Sequence, residues 1–390
     1  MALEPFRIAV ADEVLADLHR RLSATRWIDD LGEPGWKLGL SVPYLRELAG
    51  YWRSGFDWRA QEATLNAFAQ FRVTLKNGLG VHFVHERGRG PNPLPLVLTH
   101  GFPDSFARFT RLIPLLVDPA GHGGDAEDAF DVVAPSLPGY GFSDRPAPGH
   151  ALFPVGDLWH ELLTQHLGYE RYAAHGGDWG SLVTELLARD HAGEVVGIHL
   201  TDVPFIHAFQ KPDAVTHAEK RYLDAVAEFP QKQGAYALIQ GSEPQVAALA
   251  LGDSPVGLAG WILEKFRRWS DCDGDLESRF TRDELLTQVM LYWVTGTIAS
   301  SFLPYYDVAR AGAATWMLQK LKALAHRTRV PAAFAMFPKD LSSPPREWAE
   351  RFFDVGRWTE MPRGGHFAAL EEPELLAQDL RAFFRPLRTS

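Results

Sequence analysis

The 390-residue sequence predicts an α/β fold with a mostly parallel central sheet, an inserted helical cap and a helical and extended segment at the N-terminus. Three observations predict it. Short apolar runs at 96–99, 132–134, 172–174 and 195–200 alternate with stretches of helical period, the pattern of buried parallel strands joined by crossover helices. The strand signal then fades from about residue 204 to 310, where helical period dominates. It returns at 330–337 and 357–361, so the helical stretch interrupts one sheet.

In chain order, Val14, Leu15, Leu18 and Leu22 recur at helical spacing and predict a helix over 12–27. Residues 43–52 and 57–71 read the same way, with Asp57 as the N-cap of the second. Val73 and Leu75 before Asn77-Gly78, then Val81, Phe83 and His85 after it, change to alternation and predict a hairpin. A helix is expected over 106–117 and a Gly-rich loop at 121–124. After the apolar run at 172–174 comes a helix over 181–189, and the 204–310 interval holds further helices, for example 254–269 and 282–300. A helix over 374–384 closes the chain. The expected division is 1–90, an opening segment; 91–203, the first part of the core; 204–310, the cap; and 311–390, the second part of the core.

Composition excludes several classes. Hydrophobic residues at 46% and charged residues at 23% are ordinary globular values and argue against disorder or a fibre. A formal net charge of −10 argues against a general nucleic-acid binder, which needs clustered Lys and Arg. The single cysteine, Cys272, rules out an internal disulfide and fits a reducing compartment; with no signal-like or membrane-spanning run, a cytoplasmic location without a membrane anchor is expected. The sequence leaves the oligomeric state open, a homo-oligomer included.

The chemistry centres on Tyr172-Ala173-Ala174-His175-Gly176-Gly177-Asp178-Trp179-Gly180-Ser181, an apolar strand running into a glycine-flanked turn and then a helix. Small residues two positions either side of an apex permit the tight strand-to-helix turn that presents a nucleophile. The apex here is Asp178, a carboxylate already ionised at neutral pH. A serine attacking a tetrahedral carbon would leave an ether, whereas a carboxylate leaves an ester that water can cleave, so the apex points to alkyl transfer to water. As an isolated feature, the same stretch also reads as a Gly-rich turn with a helix-capping Asp.

Such an apex requires an acid and then a histidine later in the chain. His366, in the loop Arg363-Gly364-Gly365-His366-Phe367 after the last strand, is the candidate general base among 15 histidines. Asp340 follows the 330–337 strand and is placed to orient it; Asp202, at another strand end, is the fallback. His100-Gly101-Phe102-Pro103 follows an early strand where a backbone N–H helps to build an oxyanion hole, giving Phe102 and Trp179 as donors and leaving His100 structural.

Together, His100-Gly101-Phe102-Pro103, Gly176-Gly177-Asp178-Trp179-Gly180 and Gly364-Gly365-His366-Phe367-Ala368-Ala369 resemble the microsomal-type epoxide hydrolases of the α/β-hydrolase superfamily. The likeness covers most of the chain; Phe56-Asp57-Trp58-Arg59 and Phe83-Val84-His85 resemble that family's N-terminal segment, and animal members commonly carry a membrane anchor ahead of it. The resemblance implies the α/β-hydrolase fold, a small hydrophobic epoxide and water as substrates, no cofactor, and two cap tyrosines that hold and protonate the epoxide oxygen. Tyr236 and Tyr305 occupy the matching positions, with Tyr306 the alternative to Tyr305. Asp340 stands where some members carry Glu. Two other readings remain open: a haloalkane-type dehalogenase with the same Asp nucleophile, for which Phe102 lacks the usual side-chain donor, and a non-catalytic ligand-binding protein on a hydrolase fold.

Two further motifs fail on inspection. His160-Glu161-Leu162-Leu163-Thr164 has Thr where a zinc-protease helix needs its second His, and Gly139-Tyr140-Gly141-Phe142-Ser143-Asp144 lacks the last glycine of a dinucleotide loop. Neither a metal nor a cofactor is expected.

Overall fold

A computed structural model of the chain describes residues 3–29, 31–32, 35–210, 212, 214–311 and 315–388. Among the described residues nine strands form one sheet: β1 (Glu4–Phe6), β2 (Gln70–Thr74), β3 (Gly80–Glu86), β4 (Leu94–Thr99), β5 (Phe130–Pro135), β6 (Tyr172–Gly176), β7 (Val195–Leu200), β8 (Pro331–Met336) and β9 (Asp354–Glu360). Their spatial order is β1-β2-β3-β5-β4-β6-β7-β8-β9. The first three pairings are antiparallel and every pairing from β5 to β9 is parallel. Helices cover both faces of the parallel part, which is why β5, β6 and β7 are buried along their whole length and read as continuous apolar runs.

The order reverses at β4, which lies between β5 and β6, and open parallel sheets bind ligands beyond the carboxyl ends of strands at such a reversal. Register makes this specific. Thr99 of β4 lies opposite Gly176 of β6, so the segment after β4 emerges directly beside the turn after β6.

Between β7 and β8 no strand occurs among the described residues. The interval holds a 3-10 turn, Phe205–Phe209, and helices His217–Lys232, Ala235–Ser242, Pro244–Asp253, Pro255–Trp269, Arg282–Thr295, Leu303–Ala309 and Thr315–Ala323. Among the described residues no single helix is long and apolar enough to cross a membrane; Pro244–Asp253 and Pro255–Trp269 meet that test only together, across a 118° bend.

Several sequence-based boundaries shift for local reasons. The helix expected over 57–71 is capped by Asp57, which accepts from the N–H groups of Arg59 and Ala60, but it ends at Leu65. There Asn66 turns away to exchange two 2.8 Å hydrogen bonds with the backbone of Ile8, and Gln70 and Phe71 join β2. The first helix stops at Ser23, short of residue 27, where the hydroxyls of Ser23 and Thr25 bond back to the carbonyls of His19 and Arg21. The single helix expected over 106–117 is two pieces, a 3-10 turn Phe106–Phe109 and a helix Leu112–Val117. The helix expected over 282–300 ends at Thr295, with Gly296 in the left-handed conformation (φ 63°). β1, unforeseen, is a three-residue edge strand containing Pro5 and carries too little pattern to read.

Candidate active site

Asp178 sits at the turn between β6 and the helix Trp179–Asp190 with φ 58° and ψ −128°, a backbone conformation that non-glycine residues rarely adopt. The flanking glycines do not share that positive φ. Their requirement is clearance. A Cβ on Gly176 would lie 2.1 Å from the Gly180 carbonyl oxygen, and one on Gly180 would lie 2.0 Å from that of Thr99. Gly101 is equally constrained, since a Cβ there would fall 2.1 Å from Asp178 Oδ1.

The carboxylate is oriented from both sides. The Phe102 N–H donates to Oδ1 at 2.8 Å, while Oδ2 faces His366 Nε2 at 3.5 Å. On its other side His366 Nδ1 donates to Asp340 Oδ1 at 2.7 Å. Asp340 accepts only, which fixes the proton on Nδ1. The loops carrying this pair are joined through a bridge between Lys339 and Gly365, and the Lys339 N–H donates to the Gly364 carbonyl at 3.1 Å. A Cβ on Gly365 would meet the Trp269 carbonyl oxygen at 2.5 Å. The same carbonyl accepts the His366 N–H at 2.7 Å.

Asp202 does not touch His366. It accepts from Ser181 Oγ and, at 3.2 Å, from the Asp178 N–H, supporting the turn from beneath. Burial pushes its pKa up, helped by the charges of Asp340 and Asp178. For His366 burial disfavours the imidazolium, but the Asp340 and Asp178 carboxylates outweigh it and raise the pKa to about 10.

Above Asp178 the two tyrosines converge. The Tyr236 ring stacks on Phe102, with centroids 6.0 Å apart and planes at 11°, and Tyr305 meets the Trp179 ring edge-on at 4.7 Å. Their own centroids are 5.6 Å apart, with the rings edge to face. Burial and the Asp178 charge both raise their pKa values, so both stay protonated at neutral pH. They face a cavity of about 770 Å³, mostly apolar, whose lining includes Asp178, Trp179, Phe229 and Leu238. Tyr306 lies outside this cavity, half-buried, with the Arg310 guanidinium 3.7 Å from its ring centroid. Two other buried tyrosines, Tyr140 and Tyr292, direct their hydroxyls to the carbonyls of Ser301 and Asp104.

Arg108 escaped the sequence reading. Buried, it pairs with Asp104 at 2.8 Å and donates from Nη2 to the His366 carbonyl at 2.9 Å, tying the histidine loop to the segment after β4. The available signal was a charge inside the apolar run Phe106-Ala107-Arg108-Phe109. Far from this site, His160, His191 and Glu194 bring ligand-type atoms within 4.8 Å of one another. The two imidazoles are stacked at 3.7 Å with planes at 4°, so no cation lies in both ring planes as metal coordination requires.

A carboxylate at the apex of a strand–turn–helix, an imidazole and acid from the ends of later strands, and a backbone donor after β4 form the arrangement of an α/β hydrolase, with an aspartate standing where serine usually does. The comparisons agree. Residues 3–109 match the model of the epoxide hydrolase N terminus, and residues 95–293 match that of the alpha/beta hydrolase fold. The chain is 36% identical over 408 residues to epoxide hydrolase 1 of Sus scrofa, covering 98% of this chain and 88% of the pig protein. It is 43% identical over 389 residues to a Stigmatella aurantiaca protein provisionally named an epoxide hydrolase, covering 99% and 86% of the two. Among solved structures, the Bombyx mori juvenile hormone epoxide hydrolase superposes with a TM-score of 0.86 at 27% identity, covering 100% of this chain and 95% of that one. The Aspergillus niger epoxide hydrolase does so with a TM-score of 0.82 at 29% identity, covering 99% and 97%. The chain belongs to the microsomal-type epoxide hydrolase family.

Proposed function

We propose that the protein hydrolyses small hydrophobic epoxides to vicinal diols through an ester on Asp178. The observation that carries this reading is a carboxylate oxygen 3.5 Å from His366 Nε2, roofed by two protonated phenols at the base of an apolar cavity. Asp178 Oδ2 attacks an epoxide carbon, the C–O bond breaks, and the alkoxide takes a proton from Tyr236 or Tyr305. Oδ1, held by the Phe102 N–H, becomes the ester carbonyl oxygen.

The charge balance then works in favour of the second step. With Asp178 ionised, His366 rests as the imidazolium. Esterification removes one of the two anions that hold that proton, so His366 passes it to the tyrosinate and becomes neutral. Neutral His366, oriented by Asp340, takes a proton from water as the oxygen attacks the ester carbon. The oxyanion rests on the N–H groups of Phe102 and Trp179. Collapse expels the diol alkoxide, which takes the carboxyl proton, and the resting charges of Asp178, His366 and the phenols are restored.

The test uses His366→Gln with an excess of styrene oxide. Intact-mass and peptide mass spectrometry are expected to find one substrate mass on the peptide carrying Asp178, with turnover lost. Sustained diol formation, or an unmodified Asp178 peptide, overturns the scheme. A dehalogenase would instead release halide from a haloalkane, which an ion-selective electrode reads directly.

A further inference from the structure

Lys265 is a charge that the scheme above leaves unused. It lies on the helix Pro255–Trp269, its side chain mostly withdrawn from water. Trp261 and Trp269, one turn before and after it on that helix, flank it with ring centroids 5.9 and 5.8 Å from Nζ, and Tyr236 presents its ring face at 4.7 Å. Taking an ammonium out of water is costly, and burial lowers the Lys265 pKa; the three ring faces and the Glu264 carboxylate offset that cost. Its counter-ion is shared. Glu264 contacts both Lys265 and Arg268, the latter at 2.6 Å, so the three residues sum to one positive charge; the Glu264 carboxylate raises the Tyr236 pKa, and the Lys265 ammonium over the ring opposes it.

A cation over the face of a phenol attracts the ring quadrupole weakly; it attracts a phenolate, whose charge spreads into the same ring, much more strongly. The difference is realised as the phenol gives up its proton, which is the condition for accelerating a step. We infer that Lys265 is a positioning residue for ring opening, its ammonium over Tyr236 favouring the phenolate and making Tyr236 the stronger acid of the pair. Tyr305 lacks this contact: its ring packs edge-on against Trp179, Tyr236 and Phe102. The two phenols are thereby made unequal, and the gain is greatest for epoxides whose alkoxide is most basic, aliphatic ones above those bearing an electron-withdrawing aryl group. The inference rests on the proposed acid role of Tyr236.

The experiment is a double-mutant cycle read by single-turnover kinetics, with alkylation and ester hydrolysis resolved in the same traces. Lys265→Met is expected to slow alkylation on the order of tenfold, the size a desolvated cation–π contact supplies, with ester hydrolysis unchanged as the internal control. In the Tyr236→Phe background the same change is expected to have no further effect. Lys265→Gln runs beside it, so that a packing failure in one variant, seen by circular dichroism, does not decide the outcome. Equal losses in both backgrounds, or no loss in the Tyr236 background, overturn the inference. Unchanged alkylation in Tyr236→Phe alone overturns instead the acid role on which it rests.

Discussion

Below the cavity, Asp178, Asp340 and His366 are located by directional contacts from separate elements: the Phe102 N–H on Oδ1, the Trp269 carbonyl on the His366 N–H, and Arg108 on the His366 carbonyl. Above it, Tyr236 and Tyr305 are located by ring faces and edges. The difference fits the roles proposed for the two layers. Attack on a carbon and proton removal from water depend on sub-ångström placement, which hydrogen bonds supply. Receiving apolar molecules depends on shape, which ring packing supplies while tolerating small shifts. Changes below should therefore stop one chemical step, and changes above should grade it.

The largest effect is expected from Asp340→Asn. It leaves the imidazole without its anionic partner, and by analogy with other acid–histidine pairs ester hydrolysis should fall about a thousandfold or more, with alkylation nearly intact. The pH dependence gives a separate sign. Asp340 raises the His366 pKa, and protonated His366 cannot take a proton from water. Removing that charge lowers the pKa, so the acid limb of hydrolysis moves to lower pH even as the plateau drops. A single-turnover pH profile checks both; a limb that stays in place would place the controlling charge elsewhere.

The floor was also the more legible layer in the sequence. Glycines two positions either side of Asp178 are visible in one dimension, and the order of strand ends points to Asp340 and His366, whose loops the fold brings together. The reason for those glycines was not visible: the positive φ belongs to Asp178, and Gly180 is small because β4 passes 2.0 Å from where its Cβ would be. That contact depends on Thr99 lying opposite Gly176, and pairing between strands distant in sequence leaves no local pattern. Asp202 and Asp340 both end strands, and only three-dimensional distance separates a residue that supports the turn from one that holds the imidazole. Helix ends over 12–27 and 57–71 were misread because side chains such as Ser23 and Asn66 bond to the backbone, which apolar periodicity does not report.

Between the layers, Tyr305 and Tyr306 provide a sharper test. Adjacent helical residues point about 100° apart, so only one can face the cavity. Tyr305, 8% exposed, lines it, and Tyr306 packs beneath Arg310. Tyr305→Phe should slow alkylation about a hundredfold, the lower range for loss of a positioned acid, while Tyr306→Phe should stay within about twofold. Stopped-flow tryptophan fluorescence follows the step, since Trp179 borders the reacting carboxylate. Equal losses for both variants would mean that the helix Leu303–Ala309 turns on substrate entry and that the roof is not a fixed frame.

The smallest effects belong on the outer face of the roof. Val246 and Leu249, on Pro244–Asp253, are 68% and 80% exposed, so their polar replacement removes almost no buried apolar area. Val246→Gln and Leu249→Gln should each change stability by less than about 0.5 kcal/mol. In the floor, Leu98 of β4 is fully buried between strands and helices, and Leu98→Ala should cost about 2–5 kcal/mol because a cavity remains where the side chain was. Thermal unfolding of the three variants under one set of conditions ranks them. A roof substitution that lowers the midpoint as much as Leu98→Ala would show that this face is covered in solution, because only a surface withdrawn from water can make an exposed leucine count toward stability.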